Sequence, residues 1–119
     1  MGKLYLVSIG PGALDLITPR ACEALKKCEI IIGHQLYLDL IQTLIADKMH
    51  IASPWGKEIE RVDLAINKTV EGNNVSLISS GDIGIYGLGG LALERLGDNN
   101  LEIEYEIIPG ITSANACAS

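Results

Sequence analysis

The 119-residue chain has no phenylalanine, one tryptophan and four tyrosines. A core built without aromatic bulk must be filled by Ile, Leu, Val and Ala, which suits buried parallel strands or a face that expects a partner. Basic runs are missing too. None exceeds two residues, Lys26-Lys27, and the net charge is −6. A nucleic-acid groove needs a basic stripe, so no nucleic-acid partner is expected. The acids are dispersed and read as solvated surface. No apolar run reaches bilayer-spanning length and the first residues carry no secretory pattern, so no membrane partner is expected either. The three cysteines, Cys22, Cys28 and Cys117, are odd in number and form no CxxC pair. Buried thiols in a reducing compartment, hence a cytoplasmic location, account for them.

Two phosphate-binding signatures also fail. Gly10-Pro11-Gly12-Ala13-Leu14-Asp15 resembles a dinucleotide fingerprint, but Asp15 stands where the third glycine belongs and Pro11 has no N–H to offer. No acid ends the second predicted strand, which argues against NAD. The residues around Gly56-Lys57 lack the leading glycine and the following Ser or Thr of a P-loop. No carboxylates or cysteines cluster around Asp82 in the sequence, so no metal site is expected.

What is present is an alternation of aliphatic runs and helical stripes. Hydrophobic residues make up 48% and the mean hydropathy is +0.28. A chain of this length suits one domain, 1–119, that buries roughly two thirds of its unfolded surface. Strands are predicted at Leu4–Ile9, at Glu29–Ile32 closed by Gly33, briefly at Ile51-Ala52, and at Val75–Ser79. Leu101–Ile108 alternates apolar residues with Glu102, Glu104 and Glu106, the pattern of a half-exposed strand near a sheet edge.

Helices are predicted from the Thr18-Pro19 cap to Lys26-Lys27, over Leu36–Ile45, over Lys57–Glu71 before Gly72, and over Leu88–Leu96 before Gly97. The expected fold is therefore α/β, an open, mostly parallel sheet with flanking helices. The final residues, from Ala114 to Ser119, begin a helix and stop after about two turns. The expectation is a fragment whose natural protein continues into a further domain.

Three glycine-containing loops follow strands: Gly10 to Gly12, Gly81 to Gly87, and Pro109 to Ser113. In parallel sheets ligands bind at the carboxyl ends of strands, so the three should share one edge. Glycine lets backbone amides approach a ligand closely. A tight strand-to-helix turn with Asp82 as the cap would explain the second loop alone. Ordinary capping would likewise explain Thr112 and Ser113. Together, however, an acid and a helix N-terminus can hold opposite ends of one zwitterion, with an ammonium toward Asp82 and a carboxylate toward Thr112.

In their order, the motifs Ser8-Ile9-Gly10-Pro11-Gly12-Ala13-Leu14-Asp15-Leu16-Ile17-Thr18, Gly81-Asp82-Ile83-Gly84-Ile85-Tyr86-Gly87 and Pro109-Gly110-Ile111-Thr112-Ser113 resemble the N-terminal domain of the tetrapyrrole (corrin/porphyrin) methyltransferase family. Gly33-His34-Gln35-Leu36-Tyr37-Leu38-Asp39-Leu40-Ile41 and Gly56-Lys57-Glu58-Ile59-Glu60-Arg61 point to the branch that methylates C-17 of a corrin precursor with ring contraction. The resemblance implies S-adenosyl-L-methionine as methyl donor, a tetrapyrrole substrate, and two α/β domains around a cleft, usually in a homodimer. It covers the first domain only. By motif position it implies donor contacts from Pro11, Ser80, Gly81, Asp82, Ile85, Thr112 and Ser113, and tetrapyrrole contacts from Gly10, Gly12 and Asp15.

Ile83 departs from the family's usual proline. His34 falls where a relative has an aspartate proposed to accept a proton, and an imidazole can do that work near neutral pH. It can equally be a surface loop residue. Lys57 falls where a proton-donating lysine is proposed, and a surface lysine at a helix start reads as well. The resemblance leaves two other readings standing. One is a family sibling acting on another corrin intermediate, ribosomal RNA or a modified histidine; the other is a non-catalytic ligand-binding or assembly module. A carboxylate-rich substrate sits uneasily with an acidic domain, whose basic contacts would come from Arg20, Lys57, Arg61 or a further domain.

Overall fold

A computed structural model describes residues 2–9, 17–53, 56–79, 88–98 and 102–110 of the chain. The elements run β1 (Lys3–Ser8), α1 (Pro19–Lys27), β2 (Ile30–His34), α2 (Gln35–Leu40), β3 (Met49–Ser53), α3 (Glu58–Val70), β4 (Val75–Ser79), α4 (Leu88–Asp98) and β5 (Glu104–Ile108). The five strands form one sheet in the order β3-β2-β4-β1-β5, and every neighbouring pair is parallel. This is the α/β sheet expected from the alternation of strands and helices, with β5 at an edge.

The order dictates the layering. From β1 to β3 the chain steps one way across the sheet, and from β3 to β5 it steps back. With one crossover hand, the two sets of connecting helices must lie on opposite faces. The core divides accordingly. Tyr5, Val7, Ile31 and Ile78 pack with Ala21, Ala24 and Leu25 of α1 and Leu38 of α2. Leu4, Leu6, Ile32 and Leu77 pack with Val62, Ala65 and Ile66 of α3 and Ala92 and Leu96 of α4. A bidentate pair, Arg95 Nε and Nη2 to the Asp63 carboxylate at 2.9 and 2.7 Å, ties α4 to α3.

Local chemistry sets the boundaries. Thr18 caps α1, its hydroxyl accepting from the Ala21 N–H at 3.1 Å, with Pro19 in the first turn and Lys26 and Lys27 in the last. Gly72 closes the turn after α3 at φ +111°, a conformation glycine adopts without strain.

Most boundaries shift by a residue or two, the brief strand expected at Ile51-Ala52 runs over Met49–Ser53, and four further differences are instructive. The second strand does not stop at Gly33 but continues to His34. A Cβ on Gly33 would lie 2.4 Å from Cγ1 of Ile78, so this glycine admits a neighbouring side chain rather than ending a strand. The predicted helix Leu36–Ile45 ends at Leu40. Beyond it Leu44 N–H bonds Ile41 C=O and Ile45 N–H bonds Gln42 C=O, a series of tight i to i+3 turns that still buries Ile41 and Ile45 fully. Gly97 does not stop α4, which runs to Asp98; a single glycine in a last turn weakens a helix without breaking it. The last strand begins at Glu104 rather than Leu101, although Ile103 just before it is already buried.

Candidate functional site at the carboxyl edge of the sheet

Because all five strands are parallel, their carboxyl ends form one rim. Ser8 of β1 pairs with Ser79 of β4, and Val7 pairs with Ile108 of β5. The Ile9 N–H continues the ladder onto Ser79 C=O at 2.9 Å. The strands that precede the three glycine loops thus end side by side, β4-β1-β5, over about 10 Å at the usual strand spacing. The connection after β1 leads to α1 on one face, and the connection after β4 leads to α4 on the other. The reversal makes the boundary between β1 and β4 a topological switch point, where parallel sheets open a crevice for ligands.

The side chains change character at this rim. On the α3/α4 face the rung Ile51-Ile32-Leu77-Leu6-Ile107 is wholly aliphatic. Two residues further along β3, β2, β4 and β1, the same face carries Ser53, His34, Ser79 and Ser8. Ser8 is fully buried, and its hydroxyl has no hydrogen-bond partner. This group escaped sequence reasoning. A serine ending two separate aliphatic runs, at Ser8 and Ser79, was the available signal.

The two expected catalytic residues both lie on this edge. His34 ends β2 in register with Ser53 of β3. It also caps α2: Nδ1 accepts the Leu36 N–H at 3.0 Å, so the neutral ring carries its proton on Nε2. Its ring meets Tyr37 at 5.9 Å between centroids. Lys57, four residues past Ser53, precedes α3 and is exposed; its side chain makes no capping bond, and its carbonyl accepts the Arg61 N–H at 2.9 Å. His34 is thus one strand from the β4 end, while Lys57 lies beyond the outer strand β3. Gly10, Pro11, Gly12, Asp15, Ser80, Gly81, Asp82, Ile85, Thr112 and Ser113 lie outside the described residues.

The basic groups are placed unevenly. Arg61 is buried and donates to Ser53 C=O at 3.5 Å, at the carboxyl end of β3. Arg20 instead pairs with Glu106 at 3.0 Å, beside the Lys3–Glu106 pair at 2.9 Å. Hydrogen bonds from Lys3 and Arg20 hold the Glu106 carboxyl below the usual carboxylate range, and the same bond to Glu106 raises the Lys3 ammonium. The Cys28 thiol lies away from the rim, on the α1/α2 face. Burial pushes it up to about 11, although the Ser76 hydroxyl donates to its sulfur at 3.0 Å. Among the described residues no group of three His, Cys, Asp or Glu side chains could hold a metal, and no helix is long and apolar enough to cross a membrane.

Comparison with known proteins agrees with this architecture. The family model of the tetrapyrrole (corrin/porphyrin) methylases matches residues 3–119, and the chain belongs to that family. It is 43% identical over 116 residues to a probable cobalt-factor III C(17)-methyltransferase of Salmonella typhimurium, covering 98% of this chain and 48% of that protein. It is 39% identical over 122 residues to the cobalt-factor III methyltransferase of Priestia megaterium, covering 99% of this chain and 23% of that one. Among solved structures, the methyltransferase CobJ superposes with a TM-score of 0.85 at 28% identity, over 99% of this chain and 50% of its own. The uroporphyrin-III C-methyltransferase of Thermus thermophilus, complexed with S-adenosyl homocysteine, superposes at 0.77 and 26% identity over 98% of this chain and 52% of its own. The chain therefore spans about half the length of these relatives, or less.

Proposed function

We propose that this chain is the N-terminal α/β domain of a two-domain, S-adenosylmethionine-dependent C-methyltransferase of cobalamin biosynthesis, and that the whole protein methylates C-17 of a precorrin-3B or cobalt-factor III macrocycle with ring contraction. The observation that carries the reading is the adjacency of the β4, β1 and β5 ends at a switch point, since these strands lead into the three glycine loops. The names of the similar proteins supply the acceptor. A cytoplasmic homodimer belongs to the same proposal.

Methyl transfer of this kind forms a carbon–carbon bond at C-17 and breaks the carbon–sulfur bond of the sulfonium, whose sulfur keeps the electron pair and leaves as a thioether. The protein's main work is alignment, which can contribute roughly 7–11 kcal/mol. In this proposal Pro11, Ser80, Gly81, Asp82, Ile85, Thr112 and Ser113 hold the donor, with Asp82 on its ammonium. Gly10, Gly12 and Asp15 face the macrocycle.

His34 takes up a proton during rearrangement. Because Nδ1 serves as the α2 cap, it must release the Leu36 N–H to do so, at a cost of about 1 kcal/mol. Lys57, exposed on the same edge, supplies a proton. The substrate's carboxylates find cations at Lys57 and in the second domain.

Calorimetry on the full natural gene product with S-adenosylhomocysteine tests the reading. Micromolar binding that is lost in Asp82→Ala supports it; no binding by the wild type ends it. Methyl transfer to cobalt-factor III then separates this acceptor from those of family siblings.

A further inference from the structure

The Ser8 hydroxyl is anomalous in this fold. Among the described residues the other buried hydroxyls are paired: Ser76 donates to Cys28 Sγ at 3.0 Å and Thr69 to Ala65 C=O at 2.8 Å. Ser8, equally buried, has no partner. A buried polar group without a partner destabilises a fold, so its retention calls for a cause. Its position supplies one. Ser8 is the last residue of the interior strand β1, between β4 and the edge strand β5, at the switch point and in register with Ser79. It opens the polar stretch of the face that is aliphatic one rung below.

We infer that Ser8 is a ligand-coupled residue of the donor subsite: its hydroxyl gains its hydrogen-bond partner when the amino-acid end of a sulfonium methyl donor, or of its thioether product, occupies the rim. The inference rests on the proposed donor binding and adds a residue to it. β1 lies between the strand that leads toward Asp82, the proposed partner of the ammonium, and the strand that leads toward Thr112 and Ser113, the proposed partners of the carboxylate. A hydroxyl at that midpoint serves the zwitterion and not the adenine. The apo fold carries the cost and the complex removes it, as in other sites where stability is given up for binding.

The test compares Ser8→Ala with Ser76→Ala in the full natural gene product, using two ligands. S-adenosylhomocysteine has the amino-acid end, and 5′-methylthioadenosine lacks it. Without ligand, Ser8→Ala should unfold at the same or a higher denaturant midpoint than wild type, while Ser76→Ala, which breaks a satisfied pair, should unfold at a lower one. With ligand, Ser8→Ala should weaken S-adenosylhomocysteine about five- to tenfold and leave 5′-methylthioadenosine, measured by competition, unchanged. An unchanged affinity for S-adenosylhomocysteine, an equal loss for both ligands, or a lower midpoint for Ser8→Ala would each overturn the assignment. Failure of the wild type to bind either nucleoside would instead bring down the proposed function itself.

Discussion

Among the described residues, the amino-terminal edge of the sheet is laced by side-chain hydrogen bonds around Asn74, whereas the carboxyl edge holds a buried hydroxyl without a partner. At the amino-terminal edge Asn74 uses every polar atom it has. Its side-chain oxygen accepts the Lys3 N–H at 3.0 Å, its carbonyl accepts the Glu29 N–H at 3.0 Å, its own N–H donates to the Glu29 carboxylate at 2.7 Å, and its amide nitrogen donates to Lys27 C=O at 3.5 Å. Gly2 packs so closely there that a Cβ would lie 1.8 Å from the Asn73 carbonyl oxygen, and its N–H donates to Thr69 C=O at 3.1 Å. At the carboxyl edge, one strand spacing from β4, a buried serine hydroxyl has no partner and a histidine caps a six-residue helix. One end holds the strands in register; the other keeps polar groups ready for something else. In parallel α/β sheets ligands gather at the carboxyl end, and the asymmetry of hydrogen bonding here follows the same division.

Substitutions can break or sharpen this contrast. The largest effect is expected midway between the ends, where Leu6 is fully buried on the interior strand β1. Leu6→Ala should lower unfolding stability by about 2–5 kcal/mol in a denaturant titration, and it sets the scale for both edges. Asn74→Ala, at the laced edge, should cost about 1–3 kcal/mol, against a change near zero for Ser8→Ala. Equal losses from those two variants would erase the contrast.

A smaller effect is expected in acid. The depressed Glu106 carboxyl stabilises the fold fully above the ordinary carboxylate range, and that contribution disappears as pH falls through its lowered value. The raised Lys3 ammonium contributes below its ordinary value and is lost as pH rises through the raised one. The stability gap between wild type and Glu106→Gln should therefore be widest near neutrality, close in acid, and narrow in alkali to the part held by Arg20; a gap that grows in acid would contradict the pairing. The smallest effect is chemical. With its thiol near 11 and buried, Cys28 should resist alkylation at pH 8 until denaturant is added.

Much of this fold was legible from aliphatic runs and their stops. Val75–Ser79 matches its strand residue for residue, and the Thr18-Pro19 cap starts α1 where local chemistry requires. The misreadings have two causes, contact between residues distant in sequence and local patterns that more than one backbone satisfies. Gly33 looked like a stop, but it faces Ile78 across the sheet, a relation no local pattern carries. The stripe from Leu36 to Ile45 had helical spacing, yet tight turns bury Ile41 and Ile45 as well as a helix would. For the site, the sequence showed that three glycine loops follow strands. It did not show that β1 would lie between β4 and β5, because strand order depends on crossover packing. For Ser8 the sequence offers only a serine near the end of an aliphatic run; its missing hydrogen-bond partner is a property of the packed rim.

The central claim is that the ends of β4, β1 and β5 bind the methyl donor. Backbone amide chemical shifts of the labelled natural gene product, recorded with and without S-adenosylhomocysteine, test it most directly. The account predicts that the perturbed amides concentrate at Ser8, Ile9, Ser79, Ile108 and Gly110, with Lys3, Asn73 and Asn74 unmoved. Perturbation centred on the Asn74 edge, or none at the ends of these three strands when ligand is bound, would contradict it.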